Sequence, residues 1–470
     1  MSIPRIMISG THSGVGKTSV TLAIMAGLTR AGLRVGAYKV GPDYIDPSYH
    51  TVATNRASHN LDEWMMGKDA CQWLFEKTSQ DCDIAVIEGV MGLFDGVSPT
   101  TDEGSSSALA KLLKTPVILV VDAGKMARSA AAMIKGYQTL DADIHICGVI
   151  LNKVAGENHL KLLTEAVEAY NHIPVLGTLF KNEDIMIPER HLGLKTASEN
   201  EELHDCLTRL EECCQKIDLE QIMIHAKRAQ KDSLSVKPFN IIPEATLPQE
   251  PIRIAYAYDR AFQFYYQANL DFLKNCGAEL IAFSPLEDTT LPENIHGFYF
   301  CGGFPEVYAK EIKENQDMHA LIKQAIKDGI PTYAECGGLI YLAESVKSLD
   351  GKVFPMLGII PGQIEMTKKL VNFGYCENEM LDDCFLGRKG EQFRGHEFHY
   401  SQWNGEGVAA IHRSIKKRKG QERDEGYCLN NVLASYVHCH FLSYPQRARH
   451  FLAQAQNFHQ LQQRKDQVYA

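Results

Sequence analysis

Through the first 180 residues, hydrophobic positions come in short continuous runs separated by longer amphipathic stretches. Arg5 to Ser9, Arg34 to Val40, Asp83 to Ile87, Pro116 to Asp122 and His145 to Leu151 each read as a strand apolar on both faces, which needs cover on both. The stretch after the first run, to about Ala31, and that from Arg128 to Leu140 read as apolar helices. Alternation of this kind to about Leu179 predicts a doubly wound, mostly parallel sheet. Glu199 to Lys231 is helical and highly charged. Lys231 to Glu250 has no period, with Pro238, Pro243, Pro248 and Pro251 close by, and predicts a linker. A fresh pattern then begins: strand Arg253 to Tyr258, helix Tyr265 to Cys276, strand Glu279 to Phe283 and strand Phe298 to Phe300. The expected fold is α/β in both halves, with domains over 1–230 and 251–460 joined by a linker over 231–250.

Composition fits this division. A chain of 470 residues exceeds one ordinary core, since single cores stop growing near about 250–300 residues. Hydrophobic content of 45% and charged content of 23% belong to a water-soluble globular protein. The net charge of −10 argues against nucleic-acid binding through bulk electrostatics, and leaves room for an anionic substrate held by a metal or local arginines. No apolar run reaches membrane length, and Met1 to Arg5 leads straight into a strand without a cationic leader. The 13 cysteines lack the paired spacing of a zinc site or a disulfide scaffold, so the expectation is a reducing cytoplasm. Oligomeric state stays open, a homodimer included.

The first run is followed by Gly10-Thr-His-Ser-Gly-Val-Gly-Lys-Thr-Ser19 and then a helix. Strand, glycine-rich loop, lysine, hydroxyl and helix is an arrangement for cradling phosphate. Backbone N–H groups from His12, Ser13, Gly14, Val15 and Gly16 through to Ser19 face the anion, Lys17 reaches the β and γ phosphates, and Thr18 ligates magnesium. The usual G-x-x-x-x-G-K-[ST] spacing puts a glycine at position 11, where this chain has Thr11, with Gly10 one residue early. The loop resembles that of the dethiobiotin synthetase-like group of P-loop ligases, which phosphorylate a carboxylate. The second strand delivers Gly41-Pro-Asp-Tyr-Ile-Asp-Pro47 to the sheet edge where ligands gather. Asp43 and Asp46 there either hold magnesium or orient a substrate, or cap a Pro-Asp turn. The third run ends in Glu88 and continues to Asp95; a strand ending in a carboxylate places an acid at a nucleotide-bound metal, unless it is merely a solvated strand end. Asn152-Lys153 after the fifth run is a candidate border for the nucleobase.

In the second half, Cys301-Gly302-Gly303 follows a strand and can present N–H groups to an oxyanion. Pro331-Thr-Tyr-Ala-Glu-Cys336-Gly-Gly338 has the form of a nucleophile elbow, with the cysteine at a helix N-terminus that favours the thiolate. Ala434-Ser-Tyr-Val-His438-Cys-His440 brings late histidines, both on one face of a strand. The order resembles the class I glutamine amidotransferases. That resemblance implies Cys336 as nucleophile, Gly302 and Gly303 as the oxyanion region and His438 as acid and base, with His440 the alternative. Such enzymes often carry a glutamate two residues after the histidine; here that place holds His440, so the third triad member is open.

Taken together, the Gly41 to Pro47 segment, Glu88 to Gly96, Ala334 to Gly338 and Arg394-Gly-His-Glu-Phe-His-Tyr-Ser401 are similar to the cobyrinic acid a,c-diamide synthase family. The resemblance implies an ATP- and Mg2+-dependent ligase that amidates the a and c acetate side chains of a corrinoid, cobalt-bearing or metal-free, with glutamine as nitrogen donor. It equally allows the sister reaction on nickel-sirohydrochlorin. It implies magnesium held by Thr18, Asp43 and Glu88, substrate contacts from Tyr44, Asp46 and Asp95, and Arg394, His396 and His399 as candidates for the macrocycle's carboxylates. Because ammonium predominates over ammonia at neutral pH, joining the two chemistries predicts a covered path between Cys336 and the phosphate loop. The rivals are a P-loop partitioning or metal-chaperone ATPase with a binding module, and a cysteine hydrolase with a nucleotide switch.

Overall fold

The computed structural model describes residues 3–181, 203–232, 250–417 and 420–469, with 189–190, 193–194 and isolated positions between 234 and 248. The chain divides into two compact units, Met1–Phe239 and Asn240–Ala470. Most of the predicted linker falls outside the described residues.

The first unit is built on seven strands, β1 (Arg5–Gly10), β2 (Val35–Val40), β3 (His59–Leu61), β4 (Ile84–Gly92), β5 (Val117–Asp122), β6 (Ile146–Val154) and β7 (Val175–Phe180). Their order is β3-β2-β4-β1-β5-β6-β7, and every pairing is parallel. Central β1 is buried at all six positions, as a strand covered on both faces requires. Helix α1 (Lys17–Arg30) is apolar nearly all round and buries Val20, Leu22, Ala23, Ile24, Met25 and Leu28, so it packs as a core helix. A charged residue in β1 needs a reason: Arg5 is fully buried, and its guanidinium donates to the carbonyls of Leu113, Lys114 and Asp232.

The second unit carries a ten-stranded sheet. Its parallel part is ordered Ala278–Phe283, Ile252–Ala257, Gly297–Phe300, Thr332–Glu335, Val432–Ser435. It continues antiparallel through Glu422–Leu429, Ala410–Lys416, Asn372–Met380, Gln392–His399 and His438–Cys439. The segments Val432–Ser435 and His438–Cys439 are two residues apart in sequence, so this antiparallel run curls back on itself. The C-terminal helix Pro445–Tyr469 buries Arg447, Ala448, Phe451, Leu452 and Ala455. Both halves are therefore α/β, as expected; the apolar pattern does not predict the antiparallel extension, whose strands lie between Asn372 and Cys439.

Candidate functional sites

In the first unit the site forms at the carboxyl ends of β1, β2 and β4. The unusual glycine spacing has a steric cause. A Cβ on Gly10 would lie 2.3 Å from Val15 Cγ1 and 2.9 Å from Lys17 Cγ, so the small residue is needed at position 10, not 11. Gly14 and Gly16 take φ of 78° and 94°, which the loop's turn into α1 demands. Lys17 is buried, and that burial, followed by repulsion from Lys39, lowers its pKa against the pull of Glu88, Asp46 and Asp95. The Thr18 hydroxyl donates to Glu88 Oε1 at 2.7 Å and lies 3.4 Å from Asp46 Oδ2.

Behind Thr18 stands a buried charge cluster whose centre the sequence reading missed. Lys39 Nζ lies 2.9 Å from Glu88 Oε1 and 3.2 Å from the Gly89 carbonyl, and it pairs closely with Asp46 Oδ2. Burial works against its charge, but Asp46, Glu88 and Asp43 outweigh that and raise its pKa. Burial likewise disfavours ionised Glu88; Lys39 and the hydrogen bonds from His50 and Thr18 win and hold its pKa below the usual value. His50 Nε2 is 2.6 Å from Glu88 Oε2 and its Nδ1 is 3.2 Å from Ser58 Oγ, which fixes the carboxylate from behind. The signal for Lys39 was a lone cation inside an otherwise apolar strand.

Asp43 and Asp46 part company here. Asp43 Oδ1 accepts from the N–H groups of Ile45 and Asp46, capping helix α2 (Ile45–Thr54), and its other oxygen is 3.9 Å from Lys39. Asp46 is the residue beside Thr18, because the first turn of α2 directs it inward. Tyr44 precedes that turn, half-buried. Asp95 accepts from the Gly92 N–H at 3.0 Å, close to the loop. The Asn152 amide nitrogen donates to the Val15 carbonyl at 2.8 Å and its oxygen accepts from the Lys153 N–H, so the side chain braces the loop. Lys153 pairs with Asp122 at 2.8 Å. His12 and Ser13 lie exposed at the loop's tip.

In the second unit, strand Thr332–Glu335 ends at Cys336, which takes φ 47° and ψ −98°, and helix Gly337–Leu342 follows at once. This left-handed backbone at a non-glycine is the strain expected of a nucleophile elbow. The turn is held by the Cys336 N–H donating to the Ser435 carbonyl at 2.7 Å. Gly338 is required because a Cβ there would sit 2.5 Å from the Phe300 carbonyl oxygen. Gly302 and Gly303 pair with Phe264 and Phe262. A Cβ on Gly337 would come within 2.9 Å of the Gly303 nitrogen, so the two turns abut. A Cβ on Gly302 would lie 2.5 Å from His438 Cε1 and 3.2 Å from its Nε2, which places the imidazole edge against the glycine pair.

The thiol departs from expectation. A helix of only six residues contributes little, and burial, then the carboxylates of Glu306 and Glu397, push the Cys336 pKa up, opposed by the Gly337 N–H. Thiolate must then be formed by proton transfer to a base. Sequence reading also missed the Gly337 N–H, which bonds to the sulfur here and, as the residue after an elbow nucleophile, is placed to serve an oxyanion.

The segment before Ser401 splits between two faces. Arg394 is 43% exposed, 3.6 Å from Glu377. His396 and His399, expected at the macrocycle's carboxylates, are buried: His396 lies opposite His438 in register, and His399 stacks on Tyr436 at 3.9 Å between ring centroids. Period-two alternation sends neighbours to opposite faces, and the curled sheet covers both. Glu397 is buried beside Arg423.

Residues 6–194 are matched by the family described as the CobQ/CobB/MinD/ParA nucleotide binding domain, and residues 253–446 by the CobB/CobQ-like glutamine amidotransferase domain. A cobyrinate a,c-diamide synthase of Dehalococcoides mccartyi is 44% identical over 464 residues, spanning 98% of this chain and all of the relative. One from Listeria monocytogenes is 46% identical over 93% of this chain and 96% of its own length, and one from Priestia megaterium 42% over 97% of each. With both units matched and relatives of one name aligned almost end to end, the chain belongs to the cobyrinate a,c-diamide synthase family.

Proposed function

We propose that this protein is a carbon–nitrogen ligase that uses ATP and glutamine to amidate the a and c acetate carboxylates of cobyrinic acid or its metal-free counterpart, in cobalamin biosynthesis. The observation that carries this reading is the presence, in one chain, of a phosphate loop with a Thr18, Glu88 and Asp46 oxygen set and of a cysteine elbow beside a glycine pair and a histidine. Neither site alone makes an amide: the first activates a carboxylate, the second releases ammonia. The domain assignment that goes with it is a synthetase over 1–230 and a glutaminase over 251–460.

A carboxylate is a poor acyl donor, so its oxygen takes the γ-phosphoryl group of ATP and becomes an acyl phosphate, with ADP leaving. Lys17 neutralises charge on that group, and the loop's N–H groups orient it. The donor set of hydroxyl and carboxylate oxygens fits a hard divalent cation, and the Lys39 ammonium already lies among the same carboxylates. Thr18, Asp46 and Glu88 would hold magnesium, which would supply further charge neutralisation. Tyr44 and Asp95 border the acceptor side, and exposed Arg394 offers a charge for the macrocycle's carboxylates.

In the glutaminase, Cys336 Sγ attacks the amide carbon of glutamine while its proton passes to His438. The N–H groups of Gly303 and Gly337 hold the resulting oxyanion. His438 returns the proton to the departing nitrogen, ammonia leaves, and water hydrolyses the thioester to glutamate. Ammonia then displaces phosphate from the acyl phosphate. Among the described residues no helix is long and apolar enough to cross a membrane, in keeping with cytoplasmic work on a polar substrate.

The test is to incubate the purified protein with ATP, Mg2+, glutamine and a panel of tetrapyrrole acids, and read products by mass. Two successive amidations of cobyrinic or hydrogenobyrinic acid are expected. Turnover confined to nickel-sirohydrochlorin would transfer the reading to that sister reaction, and turnover of none would overturn it.

A further inference from the structure

The glutaminase chemistry just proposed needs something to hold His438, and the residue two positions on, where a glutamate would commonly do so, is His440. We infer that Glu335, the residue immediately before the nucleophile, is the positioning carboxylate for His438, so that nucleophile and third triad member are neighbours on one strand. This inference rests on the glutaminase reading of Cys336.

Geometry carries it. Glu335 and His438 are 1% and 2% exposed, and Glu335 Oε2 lies 3.5 Å from His438 Nδ1. The other oxygen is anchored: Oε1 accepts from the Tyr333 hydroxyl at 2.6 Å and from the Cys439 N–H at 3.3 Å. Tyr333 is in turn 3.3 Å from Arg447 Nη1, a fully buried guanidinium. One oxygen is thus fixed by the strands it bridges while the second faces the imidazole. The opposite edge of the same ring, Cε1 and Nε2, faces Gly302. The imidazole therefore spans the gap between a buried carboxylate and the oxyanion region, as the base of a Cys–His–acid set must. A separation of 3.5 Å is what a site without substrate commonly shows before closing.

The other titratable neighbours do not compete for the role. His396, across the strand pair, is pushed down to about 3 by burial and then by His438 itself. His399 is held at about 4, again chiefly by burial. Both are neutral at pH 7. Glu306 and Glu397 raise the thiol pKa, as Glu335 does to a lesser extent, and Glu397 is committed to Arg423. With Glu335 accepting from Nδ1–H, the imidazole keeps its Nε2 lone pair for the Cys336 proton, which matters because burial alone leaves the thiol protonated.

Glu335→Gln tests this in the full-length protein. The amide oxygen preserves the bonds from Tyr333 and Cys439, while the new NH2 meets Nδ1 as a donor and forces the wrong tautomer. Glutaminase kcat should fall about 10²-fold or more, with KM for glutamine within about threefold. Alkylation of Cys336 by iodoacetamide should shift to higher pH. Amidation driven by ammonium chloride should persist at the wild-type rate, and Glu335→Asp should recover at least about tenfold of the lost kcat. Unchanged kcat and alkylation profile in Glu335→Gln would overturn the inference, as would equal loss in both variants together with the ammonia-driven rate. If wild-type protein itself released no glutamate from glutamine, the glutaminase reading would fail instead.

Discussion

At the scale of single residues, the first site is governed by which oxygens are free to leave their present partners. Glu88 is bonded on both sides, by Thr18 and Lys39 through one oxygen and His50 through the other. Removing its charge leaves Asp46 as the near partner of Lys39 and takes one acid from the oxygen set beside Thr18. Glu88→Gln should therefore lower amidation kcat at least about 10²-fold whether glutamine or ammonium supplies nitrogen, while glutamine hydrolysis measured without ATP stays near wild type. Equal loss of hydrolysis would mean that Glu88 serves the whole chain. Lys17, Thr18 and Cys336 could be named from sequence because a motif's spacing carries its chemistry. Lys39, His50 and Glu335 could not. Lys39 and His50 act through Glu88 and Glu335 through His438, contacts between elements distant in sequence.

Secondary structure was easier to read where apolar runs are continuous. The strands β1, β2, β4, β5 and β6 match runs recognisable in the sequence to within a few residues, since burial on both faces leaves few polar interruptions, Arg5 and Lys39 among them. The antiparallel strands from Asn372 to Leu429 were hidden for the opposite reason. Their alternation is broken by buried charges, as in Gln392–His399, where His396 and Glu397 are buried in succession. The edge strand His59–Leu61 is too short to show a period. The phosphate loop illustrates how an element can be found while a contact of a residue beside it stays hidden. Asn152 stands at the end of β6, and nothing in its sequence neighbourhood says that its amide reaches back to Val15. Asn152→Ala removes that brace, so KM for ATP should rise about tenfold with little change in glutaminase rate. Isothermal titration with a non-hydrolysable ATP analogue checks the same point; unchanged affinity would restore Asn152 to a role elsewhere.

At the scale of the whole molecule, two α/β units bring together two half-reactions, each of which is chemically incomplete. The synthetase unit makes an acyl phosphate that water destroys if no amine arrives. The glutaminase unit makes ammonia, which at neutral pH is mostly lost to protonation unless it is used promptly. The family relationship covers nearly the full length, so both units belong to the inherited design. Substitution of the nucleophile separates the halves most directly. Cys336→Ser should abolish glutamine-driven formation of the a,c-diamide while ammonium chloride restores product to at least about half the wild-type rate. Retained glutamine-driven synthesis, or loss of the ammonia-driven reaction in a variant that still folds, would contradict the division of labour proposed for the two units.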